Sequence, residues 1–442
     1  MDRQRVVIVG AGFAGLHAAR GLHTLARKGA VEVVVVNPTD YFLYLPLLPE
    51  VTGGVLDPRR VAVSLGTACP SRLLLGRVDG VDLDARRVEL ADPEGERRQV
   101  DYDRLLLTVG STNKLLPIPG VAEHAHGYRT VAEALYLRDH LIRQIELAAV
   151  AADQAERDAR CTFVVVGAGY TGTEVAAHGQ LLTRTLAERF PALRHQPMRW
   201  LLLDLAPRVL PELDPRLSSA ADRTLSRRGV QIRTGTSVEE ATSDGVRLSD
   251  GEFVSTRSLI WCVGVRPDPL VEQLGLPTQR GRLTVDEYLS VPGRPELFAC
   301  GDVAAVPDLT RPGELTGMTA QHAQRQGRVA AHNIAASLGY GKPRAYRHRD
   351  LGFVVDLAGA KATANPLGVP LSGVVAKAVT RGYHLLSLPS NRARVASEWV
   401  LDATLGRQAV EFGLVRSGAV PLDTTSVGRD EGAHTESHGE TQ

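Results

Sequence analysis

Arg5 to Gly15 reads R-V-V-I-V-G-A-G-F-A-G, and Phe163 to Gly172 reads F-V-V-V-G-A-G-Y-T-G. Each is a short apolar run closed by three glycines at the spacing G-x-G-x-x-G: Gly10, Gly12 and Gly15 in the first, Gly167, Gly169 and Gly172 in the second. Each glycine has its own task. The first turns the chain tightly out of a buried parallel strand, the second lets the backbone approach a pyrophosphate, and the third lets the next helix pack close, with its N-terminus facing the anion. One such loop is a weak signal. Two at the same spacing in one chain imply two dinucleotide-binding folds, and therefore two dinucleotides.

The segments after the loops repeat as well. Leu16, Ala19, Leu22 and Leu25 give the first helix one apolar face, Lys28-Gly29 ends it, and Val31 to Val36 is the second strand. A dinucleotide fold wants a carboxylate at the end of that strand, roughly 20 residues past the loop, to bond the ribose hydroxyls. The first half has Asn37 there, which accepts through its carbonyl and donates through its amide. In the second half Trp200 to Leu203 is the strand and Asp204 the acid, whose charge repels a 2'-phosphate and so favours NADH over NADPH. Late strands, L-L-L-T-V-G at Leu105 to Gly110 and L-I-W-C-V-G-V-R-P at Leu259 to Pro267, close on Gly110 and Gly264. An internal repeat of this kind is more specific than either loop alone. After it, L-F-A-C-G-D-V-A, Leu297 to Ala304, ends a strand in Gly301-Asp302 before a helix from Thr319 to Ser337. Asp302 there offers an acid to a sugar or ribityl hydroxyl, although Gly-Asp is also an ordinary turn.

Other stretches are read as follows. Tyr41 to Glu50, apolar with two prolines, is expected to be neither regular helix nor interior strand, and either walls a flavin ring or packs in the core. Strands are expected at Arg72 to Gly76, Val78 to Asp84 and Arg86 to Leu90, then a polar stretch Asp92 to Gln99, and a long helix at Val131 to Ala152. Glu174, two residues after Gly172, is placed in the first turn of its helix. It either serves the helix dipole there or faces the nicotinamide or flavin and handles protons. From Val374 an amphipathic helix is expected, with Val374, Val375, Ala378, Val379, Leu385 and Leu386 on one stripe and Lys377, Arg381 and His384 opposite. Such a helix lies in a bilayer interface or packs on a core or a dimer partner. The next helix, Val395 to Leu405, is apolar on both sides, so a cover on both faces is expected. Ser426 to Gln442 is polar and expected to be disordered.

The 442 residues, 43% of them hydrophobic, suffice for two to three domains with substantial cores. Lys plus Arg number 51 against 50 Asp plus Glu, which gives no basic excess for nucleic acid. Cys69, Cys161, Cys262 and Cys300 form no CxxC and no framework spacing, which suits a reducing cytosol. No metal-ligating residues cluster, and no Ser/His/Asp arrangement is evident. Arg3 and Arg5 before an apolar run mimic a signal peptide, but its removal would delete the phosphate loop. No stretch reaches the ~18 apolar residues of a spanning helix, so any membrane contact is expected to be peripheral.

The two loops, with V-G-V-R-P at Val263 to Pro267, A-C-G-D-V-A at Ala299 to Ala304 and T-A-Q-H-A-Q-R-Q-G at Thr319 to Gly327, resemble the two-dinucleotide-binding flavoproteins. Within them the chain most resembles the type II NADH dehydrogenases, single-chain NADH:quinone oxidoreductases. G-A-G-Y-T-G-T-E, Gly167 to Glu174, is similar to that family's second loop. R-G-Y-H-L-L-S-L-P and W-V-L-D-A-T-L-G-R, Arg381 to Pro389 and Trp399 to Arg407, resemble its membrane-associating segment. The likeness spans roughly residues 5 to 415. It implies an α/β, glutathione-reductase-like flavoprotein fold of two Rossmann-like domains plus a C-terminal α-helical/β segment. The expected parts are an FAD domain at 1–115 and 285–345, an NADH domain at 116–284, a membrane-associating or dimerisation segment at 346–420 and a tail at 421–442.

By position the resemblance gives Gly10, Gly12, Gly15, Asn37, Gly110, Gly301 and Asp302 to non-covalent FAD. It gives Gly167, Gly169, Gly172, Asp204 and Gly264 to NADH, Glu174 to the nicotinamide side and Gln321 to the flavin edge near the quinone. It implies hydride transfer from NADH and two electrons to menaquinone or ubiquinone without proton pumping, at the cytoplasmic face of the cell membrane through residues 371–412, with a homodimer possible. Two departures mark a divergent branch: Asn37 in place of the usual acid, and Arg325 where the pattern A-Q-x-A-x-Q-x-G has its second glutamine. Three alternatives stay open: a sulfide:quinone oxidoreductase, which needs a redox cysteine pair, a ferredoxin-reductase-like enzyme with a protein acceptor, and a flavin-bearing redox sensor.

Overall fold

A computed structural model describes residues 3–69, 71–407 and 409–423. The expected disorder of Ser426 to Gln442 therefore falls outside the described residues. In chain order, the elements that position the site are β1 (Gln4–Val9), α1 (Phe13–Arg27), β2 (Val31–Asn37), α2 (Leu48–Thr52), β3 (Arg72–Leu75), β4 (Arg104–Leu107), α3 (Val131–Val150), β5 (Thr162–Val166), α4 (Tyr170–Ala187), β6 (Arg199–Asp204), β7 (Val230–Thr234), β8 (Leu259–Trp261), β9 (Arg294–Ala299), α5 (Ala320–Ser337), β10 (Val354–Asp356), β11 (Ala362–Ala364), α6 (Gly373–Ser387) and α7 (Arg392–Leu405).

The chain divides into two compact units. One comprises residues up to Leu43, Ala62–Thr112 and Val265–Asp350; the other comprises Tyr44–Val61, Asn113–Gly264 and residues from Leu351 on. The first is built on a six-stranded sheet in the order Ser290–Val291, β9, β4, β1, β2, β3, parallel except for the Ser290–Val291 edge. Val6, Val7 and Ile8 of β1 and Leu105 and Leu106 of β4 are fully buried, as a parallel strand covered on both faces requires. The second unit carries a five-stranded parallel sheet in the order Ala125–His126, β8, β5, β6, β7. In both sheets the loop strand is central, between the next strand and the late strand: Val9 pairs with Val36 and Leu107, and Val166 with Leu203 and Trp261. The expected internal repeat is thus an architectural one.

Four expectations need correction. Tyr41 to Glu50 contains a strand, Tyr41–Leu43, a 3-10 turn, Leu45–Leu47, and the start of α2. Pro46 and Pro49 fall at first-turn positions, where a missing N–H costs nothing. The polar stretch Asp92 to Gln99 enters a strand, Arg97–Asp101, on a three-stranded antiparallel sheet. Leu259 to Pro267 is two strands, β8 and Val265–Pro267, parted at Gly264 with φ +98°.

The fourth correction is the largest. On α6 the two stripes are opposite as expected, but the polar one is inside: Lys377 and His384 are buried at 5% and 3% exposure, while Val374, Val375 and Leu386 of the apolar stripe are exposed, so that stripe does not pack on this chain's own core. Arg381 lies over the Trp399 ring, 4.9 Å from its centroid. On α7 Val395 and Trp399 are buried, but Val400, Leu401 and Leu405 are exposed, so this chain covers one face of α7 and leaves the other open.

Candidate functional site

The glycines of the two loops meet the same constraints at corresponding positions. Gly10 and Gly167 adopt φ of +94° and +102°, and a Cβ on either would lie 2.5 Å from Thr108 O or 2.3 Å from Cys262 O, the late strand's end in each sheet. A Cβ on Gly15 or Gly172 would meet the carbonyl of Gly10 or Gly167 at 1.8 Å. Gly12 and Gly169 are different, since nothing lies within 4 Å of a Cβ built on them. They are the N-caps of α1 and α4, with nearly equal backbone angles and no side-chain cap, so the helix N–H groups are left to an anion in that space. Gly110 and Gly264 also have positive φ and open surroundings. Each loop is therefore a cradle that a side chain would fill and a pyrophosphate fits.

Asn37 and Asp204 act on their loops in the same way. Asn37 Oδ1 accepts the Ala11 N–H at 2.8 Å, and its amide donates to Thr39 O and Oγ1 at 2.8 and 3.1 Å. Asp204 Oδ2 accepts the Ala168 N–H at 2.6 Å, and Oδ1 accepts that of Ala206 at 2.7 Å. Each side chain staples its loop to the end of the second strand. The carboxylate keeps free lone pairs on both oxygens for a ribose hydroxyl, while the amide donors of Asn37 are engaged. Arg208, four residues past Asp204, donates to Pro211 O and Leu213 O, which ties down a cation that would otherwise suit a 2'-phosphate.

In the first unit Asp302 Oδ2 accepts the Ser111 hydroxyl at 2.6 Å, and the Gly301 N–H donates to Gln326 Oε1 at 2.8 Å. Gln321 lies in the first turn of α5, capped by Thr319, whose hydroxyl accepts the His322 N–H. Arg325, the departing residue, reaches back one turn to Gln321 Oε1 at 3.4 Å and donates to Arg349 O. The candidates for FAD and Gln321 thus share the first unit, and those for NADH share the second with Glu174.

Glu174 is the fifth residue of α4, beyond the first turn, which holds no acid. The helix-dipole account of this residue therefore fails. Glu174 Oε1 accepts the Asp356 N–H at 2.8 Å. Asp356 in turn contacts Lys377 Nζ, whose ammonium lies 3.7 Å from Glu50 Oε1, and Trp399 Nε1 donates to Glu50 Oε2. Glu50, Asp356, Lys377 and His178 are all at least nine-tenths buried; Glu174 alone of these five keeps part of its surface. Ligand atoms of Glu50, His178 and Asp356 lie within 4.8 Å of one another, a clustering with no trace in the sequence. Lys377 already supplies the positive charge between the two carboxylates, so the cluster is a lysine site.

Burial, helped by the Asp356 charge and opposed by the Asp356 N–H bond, pushes the Glu174 carboxyl well above its ordinary range. Burial pushes Glu50 up to about 8. Burial would raise Asp356 too, but the Lys377 ammonium outweighs it and holds Asp356 far down. Burial keeps His178 neutral, and lowers His140 to about 3 and His384 to about 4. These shifts oppose one another in their effect on stability. A carboxyl raised on folding contributes stability below its unfolded pKa, which is lost as pH rises through 8. A histidine depressed on folding loses stability as pH falls below about 6.5. Tm is therefore expected to peak near pH 6.5 and fall on both sides. A Tm still rising between pH 7 and 9 would contradict the neutral carboxyls.

All four cysteines are free; Cys69, Cys161 and Cys300 are buried, and burial raises the Cys161 and Cys262 thiols to about 12. None is a ready thiolate. No helix among the described residues is long and apolar enough to cross a membrane.

Residues 4–327 match the family model described as pyridine nucleotide-disulphide oxidoreductase. Among curated proteins, the type II NADH:quinone oxidoreductase NdhA of Mycobacterium tuberculosis is 31% identical over 412 residues, 89% of this chain and 86% of that one. The demethylphylloquinone reductase NdbB of Synechocystis is 29% identical over 90% of this chain and 96% of its own. Among solved structures, that of NDH2 from Plasmodium falciparum in complex with NADH superposes with a TM-score of 0.85 at 17% identity, covering 92% of this chain and all of that one, a likeness of fold.

Proposed function

The chain belongs to the pyridine nucleotide-disulphide oxidoreductases and, among them, to the type II NADH:quinone oxidoreductases, and from that premise we propose how its own residues divide the work. The first unit would hold FAD non-covalently through Gly10, Gly12 and Gly15, with Asn37 fixing the loop, Gly110 leaving room beside it, and Gly301 and Asp302 on the sugar side. The second would hold NADH through Gly167, Gly169, Gly172, Asp204 and Gly264. The ranges 1–115 and 285–345 for the FAD domain, 116–284 for the NADH domain and 346–420 for the attachment segment follow these units except that Tyr44–Val61 and the residues from Leu351 fall in the second unit and Val265–Thr284 in the first. The observation that carries this reading is the duplicated cradle, with matching backbone at Gly12 and Gly169 and open space beside both.

A flavin bound there supplies two-electron transfer between nicotinamide and quinone. The protein's part is to bind, orient and manage a proton. Asp204 selects NADH, because its carboxylate repels a 2'-phosphate and Arg208 is held elsewhere. Glu174, which burial keeps protonated, is the proton-handling group on the nicotinamide side; Gln321 faces the quinone at the flavin edge. The exposed apolar residues of α6 and α7 fit a peripheral membrane contact on the cytoplasmic side or, alternatively, a second copy of the chain.

Purified protein is expected to be yellow, to bleach on NADH far faster than on NADPH, and to turn over steadily when a menaquinone analogue is added. A reduced flavin that stalls in the presence of quinone would leave the acceptor wrong. Asp204→Ser is expected to cut the NADH preference about tenfold, the order of one lost charge contact. An unchanged preference would remove Asp204 from selectivity.

A further inference from the structure

Two carboxyls, of Glu50 and Asp356, flank a single ammonium, that of Lys377, and a third, of Glu174, joins the group by accepting the Asp356 backbone N–H. They come from α2, α4 and β10, and the lysine from α6, all within the second unit. The other charged and titratable groups facing the cluster do not alter the balance. Arg228 stays a cation while donating to the carbonyls of Leu357 and Ala358, but it is part-exposed and its charge is screened by solvent, and Arg407 pairs with Asp402 at 3.1 Å. His384 bonds the Tyr44 hydroxyl, His178 has neither ring nitrogen hydrogen-bonded, and burial keeps both neutral. Tyr128 is buried and keeps its proton. One positive charge in a dry interior tolerates one carboxylate, so two of the three carboxyls hold protons.

Geometry says which one is ionised. Asp356 contacts Lys377 Nζ directly and also accepts the Ala358 N–H at 2.7 Å, whereas Glu50 is 3.7 Å from the ammonium. Glu174 accepts the Asp356 N–H through Oε1, which leaves Oε2 to carry its proton. Of the four residues Glu174 is the least buried. Reduction of a quinone by NADH takes two electrons and two protons: one proton travels with the hydride, and the second is drawn from the medium.

We propose that Asp356 is a positioning residue for this reaction: its backbone N–H fixes the Glu174 carboxyl, and its carboxylate, by neutralising Lys377, keeps Glu174 in the protonated form that donates the second proton. The inference rests on the reading of Glu174 as the proton-handling group. After donation Glu174 is an anion beside the Asp356–Lys377 pair and recovers a proton from the medium, so charge and protons balance over a turnover. With Asp356 removed, the Lys377 ammonium has no counter-charge, and Glu174 or Glu50 ionises in its place.

The backbone bond survives any substitution of Asp356 that preserves β10, so Asp356→Asn isolates the side chain. In the holoenzyme, two pH titrations read the effect: the alkaline limb of quinone reduction, and the infrared carbonyl band of the protonated carboxyl that Glu174→Gln abolishes. Asp356→Asn is expected to move both midpoints down by about one unit or more, a tenfold loss of proton affinity. Lys377→Met alone moves them up. The double variant, which removes one charge of each sign, returns them to within about half a unit of the unmodified protein, and this comparison carries the test if Asp356→Asn unfolds. Unchanged midpoints in Asp356→Asn, or a double variant that tracks Lys377→Met, overturn the proposal. If Glu174→Gln leaves the alkaline limb intact, the reading of Glu174 itself fails, whatever Asp356→Asn does.

Discussion

Gly172→Ala is expected to abolish reduction by NADH while the protein keeps its flavin. The added Cβ would lie 1.8 Å from Gly167 O, closer than any non-bonded pair can come, and 3.2 Å from Cys262 Cβ. The loop is itself closely packed, since a Cβ on Gly167 would lie 2.3 Å from Cys262 O. Either α4 or the loop must shift. A shift of the loop breaks the bond from Ala168 N–H to Asp204 and turns the α4 N-terminus away from the pyrophosphate space. Loss of a helix-terminus phosphate site together with the ribose acid is a loss of about 3 kcal/mol or more, at least a hundredfold in Kd for NADH. The first unit is a separate compact body, so FAD retention is expected. Gly15→Ala should behave in mirror image, since its Cβ meets Gly10 O at the same 1.8 Å: flavin is lost while NADH still binds. Both are read by flavin absorbance and by isothermal titration with NADH. Wild-type NADH affinity in Gly172→Ala would mean that the second loop is not the nucleotide site.

These glycines are legible in the sequence because each answers a local steric demand. Only a residue without Cβ accepts φ near +100° against a carbonyl, so the demand leaves its mark on the chain. Asn37 was legible in position and partly so in role. Sequence places it at the strand end where a ribose acid belongs, but the carbonyl end of its amide turns out to hold the loop's Ala11 N–H. An amide can do that as well as an acid, which is a physical reason why the departure is tolerated.

The buried cluster left no such mark. Glu50, Glu174, Asp356 and Lys377 come from four elements in distant parts of the chain, and no spacing joins them. Glu174 was misplaced for a simpler reason: the helix begins at Tyr170, two residues before the last glycine of the motif, so a count from Gly172 puts it a turn too early. The α6 error has a third cause. Periodicity tells which residues share a face, but it does not tell which face is inside. Here the lysine and the histidine turn inward, because Asp356 and Glu50 wait for the lysine and Tyr44 for the histidine.

The inverted α6 and the half-covered α7 leave apolar side chains in water, which motivates the second large prediction: Leu401→Asp/Leu405→Asp is expected to weaken binding to anionic lipid vesicles about a hundredfold. Leu401 is 51% and Leu405 80% exposed, and Val374, Val375, Leu386 and Val400 are 62 to 77% exposed on the same two helices. Full burial of a leucine is worth about 1.5–3 kcal/mol, so half-burial of two at a bilayer interface gives roughly 2–3 kcal/mol, and two aspartates add repulsion from anionic headgroups. At about 1.4 kcal/mol per tenfold, that is two decades of partitioning. Neither leucine belongs to the buried core, so Tm should hardly change. Cosedimentation with vesicles measures the effect, and unchanged partitioning would refute the membrane reading of this face. Sedimentation without lipid then decides whether a second copy covers it, by loss of a dimer in the variant. A quinone dissolved in a bilayer is reached only by an enzyme held at its surface. The variant should therefore oxidise NADH at the unmodified rate with a short-chain soluble quinone and slow only on the lipid-dissolved one, which separates a lost attachment from a damaged site.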